Sequence, residues 1–154
     1  MIDAPARTKF SELIRGLVAG RLTNDEFEDA IPRSLDVAIH EVYFTGIWGL
    51  YSDLHEYRLT GKDAVPRQAR PDIARCILFL KSGLPYEWPR LGRLSFLLLL
   101  VATLLTLGIA NRIYLRWFSR QGDIHVWPFI RRSDYDSALT HPPYLHERAS
   151  YEGS

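Results

Sequence analysis

Residues 94–110, LSFLLLLVATLLTLGIA, contain no charged side chain and are bracketed by arginine, Arg90 and Arg93 before them and Arg112 and Arg116 after. A helix apolar on every face must be covered all round, by lipid or by protein. At about 1.5 Å per residue the run reaches roughly 25 Å, the lower edge of what a ~30 Å hydrocarbon core requires. The first expectation is a single transmembrane helix. Its flanking arginines are long enough to snorkel outward, and Trp88, Tyr114 and Trp117 fall where aromatic belts mark the two interfaces. Trp88, Arg90, Arg93, Arg112, Tyr114, Arg116 and Trp117 are therefore predicted at the membrane interface, with anionic lipid headgroups as partners of the guanidiniums. The second expectation makes the same run the buried core helix of a small soluble bundle. Its shortness, its threonines and Gly108 favour that arrangement, but only about three substantial helices precede it to cover it.

Charge is distributed in blocks. Residues 1–57 carry ten acidic and five basic side chains, residues 58–93 three and eight, and residues 111–132 five arginines against Asp123. The sum is only +1 in 154 residues, which offers no basic field for nucleic acid. Within about 20 positions, four basic residues precede the run and three follow it, so the positive-inside rule does not orient it. The start, MIDAPARTKFSELIRG, lacks the basic-then-apolar pattern of a secretory signal, and this predicts a cytoplasmic N-terminal domain. One cysteine, Cys76, excludes an intramolecular disulfide.

Helical periodicity organises the part before the run. Phe10, Leu13, Ile14, Leu17 and Val18 recur at i, i+3, i+4, i+7 and i+8, one buried stripe. Gly20 can cap that helix in the left-handed conformation, and Thr23-Asn-Asp-Glu26 has the spacing of a capping box. Leu22 and Phe27 are placed as a hydrophobic staple, and Pro32 stops the second helix. Residues 13–27, LIRGLVAGRLTNDEF, resemble the SHOCT-like short oligomerisation hairpin, with its leucine helix, glycine turn and Thr-x-x-Glu-Phe start; the resemblance implies self-association. Ser34 is positioned to cap a third helix with Leu35, Ala38, Ile39 and Val42 on one face, continuing toward Leu54 and bent at Gly46 or Gly49. A fourth helix, with Ile73, Cys76, Ile77 and Leu80 inward, ends at Gly83. After the run, DIHVWPFI is too short and proline-broken for a central strand, a Ser133-capped turn follows, and a flexible tail is expected from Thr140.

Catalytic patterns are incomplete. His40-Glu41 lacks the second histidine of HExxH, the Asp53-Leu-His55 and Asp123-Ile-His125 pairs lack a third ligand, and no phosphate-cradling glycine loop is present. Cys76 falls on an apolar helix face, where a thiol is inert packing. Trp127, Phe129, Arg131 and Arg132 combine large apolar groups with guanidiniums, the composition of interface anchors. The chain is thus expected to be all-α: a helical domain over residues 1–93, a hydrophobic helix over 94–110 and a basic segment with a tail over 111–154. Its expected role is a non-enzymatic, membrane-associated one without a cofactor, acting through lipid and an unidentified protein partner or a second copy of itself as an adaptor, assembly or immunity-type protein. The alternative is a small ligand-binding domain or enzyme in which His40, Glu41, Asp53 and His55 meet in a pocket.

Overall fold

The first helix, α1 (Ala4–Val18), begins where Asp3 accepts a hydrogen bond from the Ala6 amide, and it buries Arg7, Phe10, Ser11, Ile14 and Leu17 along one stripe. It ends as its glycine predicts. Gly20 has φ +65°, its amide donates to Leu17 O, and the next amide, of Arg21, donates to Gly16 O. This is the Schellman arrangement that satisfies the last carbonyls of a helix. The capping box is also formed: Thr23 Oγ1 accepts from the Glu26 amide and Glu26 Oε2 accepts from the Thr23 amide, opening α2 (Asn24–Ala30). Leu22, expected to staple this helix, lies over Gly16 of α1.

The structure is a computed structural model that describes residues 1–90 and 92–141, without the side chain of Arg93. The tail expected from Thr140 therefore falls, from residue 142 onward, outside the described residues. Among those residues there are seven α-helices and no strand, in keeping with the all-α expectation.

Helix α3 (Val37–Glu41) is capped by Asp36, whose Oδ1 accepts from the Ala38 amide, rather than by Ser34. Ser34 instead donates to Asp3 Oδ2 and accepts from the Asp36 amide. The expected continuation toward Leu54 is a π-helical turn, Val42–Ile47, followed by a short 3₁₀ turn, Trp48–Leu50. Gly46 fits that widened turn because a side chain there would meet Cys76 Sγ and the Trp127 ring at 3.1 Å. Helix α4 (Arg70–Lys81) packs on α1 with Ile73, Cys76, Phe79 and Leu80 buried.

Two polar residues tie the body together. Arg7 is only 1% exposed and grips Asp36 with two hydrogen bonds, Nε to Oδ2 at 2.6 Å and Nη2 to Oδ1 at 3.0 Å, while Nη1 donates to Leu84 O. Burial alone would raise the Asp36 carboxyl, but the bonds from Arg7 and the amides of Asp3 and Ala38 outweigh it and hold the pKa below the usual range. Buried Asn24 donates to Ser52 O and His55 O and accepts from the Tyr57 amide, which holds the loop over residues 52–57 against α2. Such groups cost little when every polar atom is paired.

The chain after the apolar run comes back to this body. Phe129, 1% exposed, meets the Phe79 ring edge-on at 5.1 Å; Val126 and Ala138, the latter on α7 (Arg132–Thr140), join the same core.

Candidate interaction surface

Between Trp88 and Val126 the chain leaves the body as a helical hairpin. Residues 94–110 are not one helix. Helix α5 (Arg93–Leu105) is followed by a turn at residues 106–108 and by α6 (Ile109–Phe118). The turn is chemically specified: Gly108 takes φ +92° and Leu107 φ +48°, and the Thr106 hydroxyl donates to Ala102 O while accepting from the Ala110 amide. A left-handed glycine ends a helix at small steric cost, so continuous hydropathy conceals a reversal of direction.

This corrects the single-pass localisation. Among the described residues no helix is long and apolar enough to cross a membrane, because α5 holds 13 residues, about 20 Å at the α-helical rise. Burial in the body fails as well. Most of the large apolar side chains of the hairpin, including Leu94, Leu97, Leu98, Leu104 and Ile113, are between 46% and 95% exposed, with Leu107 at the tip highest. A connected apolar surface of this kind marks an interaction site.

The hairpin has two chemically distinct sides. Ala110, Tyr114 and Phe118, four residues apart, are half-buried, as are Leu99, Ala102 and Thr103 of the packed helix α5. Arg112, Arg116 and Arg120 also recur every four residues and are exposed. Two positions at about 100° each put that arginine stripe opposite the Tyr114 face. Ile109, Ile113 and Trp117 form a third exposed row.

The other residues singled out in the sequence are dispersed. Trp88, expected at a membrane interface, is only 2% exposed; its Nε1 donates to Phe129 O and its ring stacks on Phe118 at 5.0 Å. It anchors the base of the hairpin to the body. Arg90, two residues on, is exposed, and Arg93 opens α5 with its side chain outside the described residues. Phe129, expected to contact a partner, is interior because Phe79 and Tyr135 enclose it. Arg131 and Arg132 are exposed and lie near Glu87 and Asp123 respectively.

Trp127 belongs to a cavity of about 570 Å³ where the base of the hairpin meets the body, which it lines with Tyr86, Tyr114 and Phe118. Trp127 is held from three sides: its Nε1 donates to Tyr86 Oη, its carbonyl accepts from Arg75 Nε, and its ring edge rests over Gly46. Of the four residues expected to meet in a pocket, Glu41 alone reaches this cavity. His40 meets the Phe44 ring at a tilt, His55 stacks on Tyr57, and Asp53 lies in an exposed loop. Cys76 also lines the cavity, but burial raises its thiol to about 12, which suits packing rather than nucleophilic chemistry. That Tyr86 and Phe118 share one wall has no local signal, since the wall is assembled from five separated stretches of chain.

No family model, curated protein or solved structure matches this chain.

Proposed function

We propose that the protein is an adaptor-type, non-enzymatic protein that attaches to one leaflet of an anionic membrane surface through the α5–α6 hairpin, without crossing it. The observation that carries this reading is the two-sidedness of the hairpin. Helix α5 exposes apolar side chains, Leu94, Leu97, Leu98 and Leu104 among them, while α6 exposes Arg112, Arg116 and Arg120 on its side opposite Tyr114. A hairpin lying in the interface lets α5 enter the acyl boundary while the arginines stay at the level of the phosphates. Trp117 and Ile113 sit between the two zones, as amphipathic interface residues do. Self-association through α5 would cover the leucines but leave the arginine stripe without a counterpart.

Flotation of the full chain with vesicles tests this reading. Three arginines at about 1 kcal/mol each imply about 100-fold tighter binding to anionic than to zwitterionic vesicles, weakened by salt. The double variant L97D/L104D, altered only at exposed positions, is expected to lose flotation and keep its fold. A wild type that ignores anionic vesicles and forms a discrete oligomer dispersed by the same substitutions overturns the lipid reading in favour of protein association.

A further inference from the structure

The cavity at the hairpin base has a charge balance that its sequence positions conceal. Two carboxylates and two guanidiniums line it, from Glu41, Asp72, Arg75 and Arg90. Asp72 and Arg75 are spent on each other, with Nη2 to Oδ1 at 2.5 Å, and Arg75 Nε is committed to the Trp127 carbonyl. Among the described residues Glu41 has no such partner. The basic atom paired with it among them is His40 Nδ1 at 3.7 Å, too long for a hydrogen bond. Glu41 also closes α3 just before the π-helical turn that brings Thr45 and Gly46 into the wall, and π-turns inside helices occur frequently at functional sites. A single uncompensated carboxylate is thus set among Tyr86, Tyr114, Phe118 and Trp127, with Arg90 as the remaining positive charge.

We propose that this cavity binds an alkylated ammonium group, with Glu41 as counter-charge and the four aromatic rings as its apolar enclosure, and that Arg90 receives an anionic group carried by the same ligand. A bulky, weakly hydrated cation suits aromatic walls better than a primary ammonium, which needs several hydrogen-bond acceptors. A volume of about 570 Å³ lies within the range of small-molecule sites. Gly46 keeps the enclosure open: a side chain there would press into the Trp127 ring. Phosphocholine represents the chemistry, whether it arrives as a free zwitterion or as a lipid headgroup. The cavity can fill in either case, so binding of the free ligand is independent of leaflet attachment.

Calorimetric titration of the full chain with methylamine, tetramethylammonium, choline, phosphocholine and inorganic phosphate, alongside the Trp127 indole resonance, tests the assignment. Affinity is expected to rise with methylation and to be highest for phosphocholine. Glu41→Gln is expected to weaken choline at least tenfold, and Arg90→Gln to weaken phosphocholine while sparing choline. Tyr114→Leu, on the hairpin and outside the body core, gives a second check if Glu41→Gln perturbs folding. The lipid and free sources separate in L97D/L104D: retained phosphocholine binding with lost vesicle binding shows that the free ligand fills the cavity without a bilayer, and loss of phosphocholine binding in this variant, with its fold kept, overturns a cavity that binds independently of leaflet attachment. Absence of saturable binding by any methylated cation, an affinity order falling with methylation, or phosphate binding as tightly as phosphocholine overturns the proposal.

Discussion

The body and the hairpin are made of similar side chains in opposite circumstances. In the body, Phe10, Ile14, Leu17 and Phe27 have no exposed surface, and even an arginine is sealed in because Asp36 and a carbonyl satisfy it. In the hairpin, a denser set of leucines is held out by a glycine turn and one stacked anchor, Trp88 on Phe118. Hydrophobicity alone therefore does not determine burial. The body closes because its apolar groups lie on single stripes that can face one another, whereas α5 is apolar all round and α6 covers only one of its sides.

The largest expected effect tests that contrast in stability. Phe27→Ala, which removes a ring packed on Phe10, Tyr43 and Tyr51, is expected to cost about 3–5 kcal/mol. Leu98→Ala, at a position 61% exposed, is expected to change stability by less than about 0.5 kcal/mol. Denaturant midpoints of the two variants measure the difference, and comparable losses would mean that the hairpin is part of the folding core.

Arg7→Met probes how the body accommodates charge. Leaving Asp36 buried without its main partner is expected to cost about 3 kcal/mol at neutral pH. The sign of the pH dependence follows from the lowered Asp36 pKa. Its contribution is fully present above the unfolded carboxylate value of about 3.9 and is lost as pH falls through the lower folded value. Wild-type stability should thus decline in strong acid, and Arg7→Met should show a shallower decline in melting temperature over that range. An unchanged acid limb would remove the ion pair from the account.

The smallest effect compares two glycines. Gly20 and Gly108 both have positive φ, so alanine carries a backbone cost of about 1 kcal/mol at each. At Gly20 an added Cβ also lies 2.3 Å from Thr60 Cγ2, while at Gly108 it meets nothing within 4 Å. Gly20→Ala should therefore lower the melting temperature more than Gly108→Ala. Equal shifts would show that the loop at Thr60 yields freely.

Legibility followed locality. The glycine end of α1, the Thr23–Glu26 box and the inward faces of α1 and α4 depend on residues within a turn or two, and they could be read directly. Arg7 could not, because a long basic residue on a helix reads as solvated until Asp36, 29 positions away, is known to meet it. The cavity had half its lining visible as residue types, Arg90, Tyr114 and Trp127 among them, but assigned to membrane and partner contacts. Tyr86 and Phe118 come to share a wall only where the stretches around Glu41, Arg75 and Trp127 converge.

By itself the sequence determined an all-helical chain and one exceptionally apolar, arginine-bracketed stretch, since helix period and side-chain polarity are local properties. Tertiary structure alone decided that this stretch turns back at Gly108 and that Trp88 and Phe129 lie inside. Direction reversal depends on one left-handed residue that hydropathy does not register, and burial depends on which distant surfaces arrive to exclude water.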